Sequence, residues 1–259
     1  MKKIRDEIIA DYITETSADS EREKPIREQN IDLFRNCPIS DIEMLRNLGL
    51  FLVPTDIKKY LFLNEMYKKI LNVHGVIIEF GCRWGQNLSL LHSFRSIYEP
   101  FNHYRKIIGF DTFSGFPSIS DKDGNSDLAI KGGYNVSENY EIYLEKLLRN
   151  LEQESPLNNK KKFEIVKGDA TMTVDNYLKN NQDTIIALAY FDFDIYEPTK
   201  KSLESIKDRL TKGSILVFDE LNHPKFPGET IALKEVFGLD KFKIQRNIYS
   251  NCQSYIVIE

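Results

Sequence analysis

The apolar run Val76-Ile77-Ile78 leads straight into Glu79-Phe80-Gly81-Cys82-Arg83-Trp84-Gly85, and a helical pattern starts near Gln86. This order is strand, tight turn, helix. Gly81 and Gly85 tolerate positive φ, so the turn can be sharp and a ligand can come close to the backbone. The free N–H groups at the helix start would face that ligand. A turn of this kind sits at the carboxyl end of a parallel sheet and takes a nucleotide-like cofactor. The spacing is G-x-x-x-G rather than the G-x-G-x-x-G of nicotinamide dinucleotide enzymes. With the acidic Glu79 on the strand before it, the turn points to S-adenosylmethionine.

The rest of the chain repeats the strand-helix alternation. Strands are predicted over Gly75–Gly81, Lys106–Thr112, Phe163–Asp169, Ile185–Asp194 and Ser214–Glu220. The helix Asn87–Tyr98 carries Leu88, Leu91, Phe94 and Tyr98 on one stripe. Further helices run through Val174 and Leu178, through Leu203, Ile206 and Leu210, and over Pro227–Phe237. Phe242–Tyr249 and Ser254–Glu259 are β-like, and the polar Ser250-Asn251-Cys252-Gln253 is short enough to join them as an antiparallel hairpin. The pattern predicts an α/β protein with a doubly wound, mostly parallel sheet, right-handed crossovers and an antiparallel C-terminal hairpin. Ser114–Asn135 is polar and glycine-rich, a loop or lid beside the cofactor. Residues 1–70 are expected to form an N-terminal arm and helical cap, and residues 71–259 the cofactor-binding domain. Within the cap, Thr55 is placed as a helix cap, and Ile57, Tyr60, Leu61, Met66 and Ile70 as one face.

All five strand ends carry acids, and ligands of an open α/β sheet bind outside those ends. Asp111 closes strand two and can accept hydrogen bonds from ribose hydroxyls, or simply shape its loop. Asp169 closes strand three and can meet the adenine, or cap the next helix. Trp84 lines the cofactor pocket or packs. Asp192 and Asp194 are two apart, so an extended chain puts them on one side. Asp219 and Glu220 close the neighbouring strand. Carboxylates brought together repel, and a hard divalent cation, magnesium by default, relieves that. It would lower the pKa of a substrate hydroxyl and fix it for attack on the methyl group. The alternative is a cluster paired with Lys or Arg, or partly protonated. His223, just past the acidic pair, is the candidate base, although a loop histidine is more often structural.

Composition narrows the function classes. The net charge of −4 argues against a dedicated nucleic-acid binder. No apolar stretch approaches the ~20 residues that span a bilayer, and the mixed charges of the first thirty residues give no secretory signal. Cys37, Cys82 and Cys252 are scattered, which speaks against a disulfide framework or a zinc site and for a reducing cytoplasm. The N-terminal arm and the hairpin edge offer surfaces for a homodimer.

Taken together, these segments resemble the class I S-adenosylmethionine-dependent methyltransferases, in particular the macrocin O-methyltransferase-like group. The resemblance covers roughly residues 60–259. It rests on the glycine turn, on Gly109-Phe110-Asp111-Thr112-Phe113-Ser114-Gly115-Phe116-Pro117, on Lys167-Gly168-Asp169, on Phe191-Asp192-Phe193-Asp194-Ile195-Tyr196-Glu197-Pro198-Thr199 and on Phe218-Asp219-Glu220. It implies a seven-stranded sheet, S-adenosylmethionine as methyl donor and magnesium-assisted transfer to a hydroxyl of a sugar or related small molecule. The implied cofactor contacts are Glu79, Gly81, Cys82, Trp84, Gly85, Asn87, Asp111, Thr112, Phe113, Gly168, Asp169, Ala170 and Asp192. The implied metal ligands are Asp192, Asp219 and Glu220, with Glu220 departing from the usual Asp-Asp pair. Asp192 and His223 are the implied catalytic residues. The run from Asp219 to Glu229 resembles a bacterial subgroup. Competing readings are a metal-independent transferase acting on nitrogen or a phosphate-type oxygen, and a non-catalytic cofactor-binding module. A nicotinamide-dependent oxidoreductase is disfavoured by the glycine spacing and the hairpin.

Overall fold

Alternation along a strand sends Ile77 and Glu79 to one face of the sheet and Ile78 and Phe80 to the other. Each face builds its own core. The computed structural model describes residues 24–249 and 252–259; the N-terminal arm up to residue 23 and the middle of the terminal turn lie outside the described residues. The strands are β1 (Val76–Phe80), β2 (Ile107–Asp111), β3 (Phe163–Lys167), β4 (Ile186–Phe191), β5 (Leu210–Phe218), β6 (Gln245–Arg246) and β7 (Ser254–Val257). They form a seven-stranded sheet in the order β3-β2-β1-β4-β5-β7-β6. The strands β1 to β5 are parallel, β7 runs antiparallel to β5, and β6 antiparallel to β7. The predicted doubly wound α/β sheet with an antiparallel C-terminal end is therefore what the chain forms.

The chain divides into two compact units after Ile57. In the first, α1 (Lys24–Arg35), α2 (Asp41–Arg46) and a 3-10 turn over Leu48–Phe51 bury no residue. Phe34 meets Phe51 edge-on with ring centroids 4.9 Å apart. Helix α3 (Pro54–Lys69) starts one residue before Thr55, so Thr55 is not its cap. Proline takes the first helical position, where its missing N–H costs nothing, and Asp56 accepts from the Val53 N–H at 3.1 Å. The buried stripe is Phe62, Leu63, Met66, Tyr67 and Ile70, while Ile57 and Leu61 are exposed. The expected face was rotated, because Phe62, Leu63 and Tyr67 carry more apolar surface than Ile57 and Leu61.

In the second unit, α3 packs on one face of the sheet with α4 (Gln86–Tyr98) and α5 (Tyr140–Gln153). The other face holds α6 (Ala170–Asn180), α7 (Tyr196–Ile206) and α8 (Gly228–Val236). Helix α5 is absent from the sequence reading, although Leu144, Leu148 and Leu151 have helical spacing and face the core. Strand β4 is buried along its whole length, as expected for a central parallel strand. It stops at Phe191. Asp194 has φ +61, so the chain is not extended from Asp192 to Asp194, contrary to expectation. Leu210 opens β5 and does not end α7. At the C-terminus, Gln245 pairs with Tyr255 and Arg246 with Ser254. The connection therefore runs from Asn247 to Gln253, longer than the predicted four-residue turn. Asn247 organises it by donating its N–H to the Gln253 carbonyl at 2.8 Å. Among the described residues, no helix is long and apolar enough to cross a membrane.

Candidate active site

The strand order reverses between β1 and β4, where the chain leaves toward β2 and β3 and later returns. A crevice opens at such a switch point. Here it is a cavity of about 340 Å³. Register and parity decide which side chains enter it. Glu79 is paired with Tyr190, and Tyr190 with Val217. Two residues further on, Asp192 and Asp219 continue the same parity just past their strands, with the Asp192 N–H on the Phe80 carbonyl and the Asp219 N–H on that of Phe191. Glu79, Asp192 and Asp219 thus reach the face that α3 covers. Lys59 of α3 comes down on them, its Nζ 3.9 Å from Asp192 Oδ2.

The glycine turn has the expected shape for a different immediate reason. Gly81 and Gly85 have φ of +85° and +74°. A Cβ on Gly81 would run into the Asp192 carbonyl, and one on Gly85 into the Leu144 side chain. It is the protein's own chain that approaches these glycines so closely. Gly85 stands at the start of α4, which begins at Gln86 as predicted. Cys82 is buried with its sulfur toward Gly109. Asn87 is buried and lines the cavity with Glu79, favouring its charged form.

The second and third strand ends serve the loops and the cavity at once. Asp111 Oδ2 accepts from the Arg83 N–H at 2.7 Å and Oδ1 from the Phe113 N–H at 2.5 Å. The Thr112 hydroxyl donates to the Gly115 carbonyl at 2.7 Å. Phe113 is turned into the core and does not line the cavity. Asp169 caps α6 by accepting from the Thr171 N–H at 2.9 Å, the helix-cap role, yet it lines the cavity together with Gly168 and Ala170. Trp84 lies at the wall with its ring edge-on to Tyr140.

Crowding dominates the electrostatics. Burial, and then the charge of Asp192, push Glu79 up to about 8. Burial and Asp219 push Asp192 well above the usual carboxylate range, and burial with Glu220 and Asp219 does the same to Asp194. Glu220 rises to about 8 through burial, Asp219 and Asp192. Burial alone would lower Lys59, but the surrounding carboxylates, Asp219 and Asp192 foremost, outweigh it and hold the ammonium above the ordinary lysine range. Asp219 is clamped from behind: its Oδ1 accepts from the Tyr190 hydroxyl at 2.5 Å and from Gln253 Nε2 at 3.0 Å. Glu79 Oε2 and Glu220 Oε2 are buried without a hydrogen-bond partner. Among the described residues, no three His, Cys, Asp or Glu side chains stand together as a ready metal site.

His223 does not line this cavity but touches its wall at Glu220. It borders a shallow hollow with Asn222, Pro224, Pro227, Thr230 and Ile231, its Nδ1 3.5 Å from Glu220 Oε2 and its ring stacked on Phe226. Sequence reasoning missed Lys59 and the buried Glu229, whose Oε2 accepts from the Glu220 N–H at 3.2 Å. It counted Asp194 among the four carboxylates brought together but gave it no role as a ligand or catalytic group. A lysine on a helix outside the glycine turn carries no local signal; only the packing of α3 brings it here.

An acidic crevice at the switch point of a parallel sheet, with an antiparallel final strand, is the setting in which a comparison with known proteins becomes decisive. The model of the family described as macrocin O-methyltransferase (TylF) matches residues 61–249. The chain belongs to this family. It is an S-adenosylmethionine-dependent O-methyltransferase. Among solved structures it is similar to CalS11, a calicheamicin methyltransferase, with 40% identity and TM-score 0.91 over 93% of this chain and 94% of that one. The apo structure of CalS11, described as a TDP-rhamnose 3'-O-methyltransferase of calicheamicin biosynthesis, matches with 38% identity and TM-score 0.82 over 93% and 96%. The O-methyltransferase NovP shares the fold, at 17% identity and TM-score 0.59 over 78% and 80%. No curated protein matches the chain.

Proposed function

We propose that this methyltransferase acts on a hydroxyl of a sugar carried on a nucleotide. The observation that carries this reading is the acidic wall formed by Glu79, Asp192 and Asp219 beside the glycine turn, in a chain similar over 93% of its length to a TDP-rhamnose methyltransferase. S-adenosylmethionine fits the wall: Glu79 Oε2 is a buried acceptor without a partner, and the cofactor's amino-acid head carries an α-ammonium donor. Glu79, Gly81, Gly85, Asp111, Gly168 and Asp169 would hold it. When bound, the cofactor supplies an already activated methyl group. The protein's task is then alignment, exclusion of water and removal of the hydroxyl proton, with reacting atoms about 3–3.5 Å apart. Asp192, Asp194 and Glu220 line the place where the acceptor oxygen would lie. Asp194, whose carboxyl burial and the neighbouring Glu220 and Asp219 push well above the usual range, lines this cavity, whereas His223 borders the adjoining hollow.

Magnesium is part of this proposal. Asp192, Asp219 and Glu220 offer hard oxygen donors, and the unpartnered Glu220 Oε2 is an acceptor that a cation would complete. The three do not stand as a preformed chelate. Bound there, the ion would lower the pKa of the acceptor hydroxyl.

The test is incubation with S-adenosylmethionine and TDP-rhamnose, reading S-adenosylhomocysteine release and a product heavier by one CH2. Asp192→Asn should lower kcat by about 100-fold or more. Absence of any methylated nucleotide sugar across a panel of such acceptors would sink the substrate reading. Full activity of Asp219→Ala in EDTA would remove the metal.

A further inference from the structure

Lys59 and Arg83 are the two cations on the cavity wall. They stand in different surroundings. The guanidinium of Arg83 lies over the rings of Trp84 and Tyr134, 5.7 and 5.2 Å from their centroids. Lys59 enters from α3, on the side of Glu79 and Asp192, above the start of the glycine turn. Next to it in α3, the Tyr60 hydroxyl accepts from Gln86 Nε2, the first residue of α4, at 3.2 Å, which ties α3 to the turn.

The ammonium of Lys59 is matched in charge but not in hydrogen bonds. Its nearest anionic atom, Asp192 Oδ2, is 3.9 Å away, beyond hydrogen-bond reach. An ammonium has three donors, and a half-buried one that reaches no acceptor among the described residues is poised for an acceptor brought by a ligand.

The cofactor's amino-acid head is a zwitterion. Its α-ammonium suits Glu79 and Asp192, which are plentiful acceptors in this wall. Its α-carboxylate needs a cation in a cavity that seven carboxylates line (Glu79, Asp111, Asp169, Asp192, Asp194, Asp219 and Glu220), and Lys59 is the cation placed beside Glu79 and Asp192, while Arg83 lies over the rings of Trp84 and Tyr134. We infer that Lys59 binds the α-carboxylate of the cofactor's amino-acid head, and that Lys59 with Glu79 and Asp192 reads this head as a zwitterion. The inference rests on the S-adenosylmethionine reading above and assigns it a contact from outside the glycine turn.

Isothermal titration calorimetry separates the two. S-adenosylhomocysteine has the amino-acid head; 5'-methylthioadenosine has the nucleoside and sulfur without it. In Lys59→Met, affinity for S-adenosylhomocysteine should fall by about 10- to 100-fold, the worth of a charged hydrogen-bonded contact. Affinity for methylthioadenosine should stay within about twofold, and Lys59→Arg, which keeps the charge, should recover most of the loss. Equal loss of both ligands would show that Lys59 only shapes the pocket and would overturn the inference. So would unchanged S-adenosylhomocysteine affinity with weakened binding of thymidine diphosphate, which would move the anion to the acceptor. If the unmodified protein binds neither adenosine ligand, the cofactor reading itself fails.

Discussion

Tyr190 is a buried aromatic residue in the middle of an apolar strand, and its sequence position suggests only packing. The register of β1, β4 and β5 gives its hydroxyl a partner, Asp219 Oδ1 at 2.5 Å, and Gln253 closes on the same oxygen from the C-terminal hairpin. One carboxylate oxygen of Asp219 is therefore fixed, which orients the other. Tyr190→Phe should lower kcat by about tenfold while changing S-adenosylhomocysteine affinity less than about twofold, because it frees Asp219 without touching the glycine turn. Steady-state kinetics and calorimetry together check this; a change in cofactor affinity alone would contradict it. At the same scale, Asp111 was legible as a functional acid but its immediate work was not. Both its oxygens accept backbone N–H groups, from Arg83 and Phe113, and that pairing depends on which loops meet at the end of β2.

At the scale of elements, a buried ionic group ties α4, α5 and the entry to β3. Arg95 Nη2 donates to Glu152 Oε1 at 3.2 Å, the Lys162 N–H donates to Oε2 at 2.9 Å, the Lys162 ammonium pairs with the same carboxylate, and His92 Nε2 lies 3.5 Å from it. All four side chains are buried. Removing one member strands the others, so Glu152→Gln should cost about 3–5 kcal/mol in denaturant unfolding. The pH dependence has a definite sign. Burial, then the Arg95 charge, holds His92 below its ordinary value of 6.5. At this group the unfolded chain binds more protons, so the contribution of His92 to stability falls as pH drops below about 6.5, opposite in sign to that of the raised acids of the active site. Burial would raise Glu152, but hydrogen bonds from Lys162 outweigh it and hold it below 4.5, so its contribution is lost at still lower pH. His92→Phe should remove this contribution, so that Tm falls less, or rises more, between about pH 7 and 5 than in the unmodified protein, and leave the acid limb unchanged. An unchanged slope would rule that contribution out.

Across the whole molecule, the long segment after β2 is a built wall. Phe116 joins Ile195 and Phe226 in a small apolar cluster that Ile119, Leu128, Tyr134 and Phe193 surround. Asp123 is buried within it; its Oδ1 accepts from the Tyr196 N–H at 2.6 Å and its Oδ2 from the Ser120 N–H at 2.6 Å. One aspartate thus pins the β2 loop to the start of α7, beside Asp194. Asp123→Ala leaves the Tyr196 N–H without its acceptor and should cost about 1–3 kcal/mol. It should also speed limited proteolysis within residues 114–135 and raise KM for the acceptor more than for the cofactor. Proteolysis at the unmodified rate would mean that the apolar cluster alone holds the wall.

Legible in the residues alone were the strand-turn-helix at Gly81–Gly85, the parallel run of the first five strands, the antiparallel end and the acids that close those five strands. These are local or periodic signals: an apolar run, glycines where φ is positive, a carboxylate beside a turn. Helix α5 also had its stripe in the sequence, at Leu144, Leu148 and Leu151, but a long polar segment before it masked the pattern. Which acids meet, and what stands opposite them, came from long-range packing. The parity shared by Glu79, Asp192 and Asp219 follows from cross-strand register, which no single strand encodes. The place of Lys59 follows from the packing of α3 on that face through Phe62, Leu63, Met66 and Tyr67. Charges that are far apart in sequence interact by distance in space, and that distance is set by the long-range packing of the core.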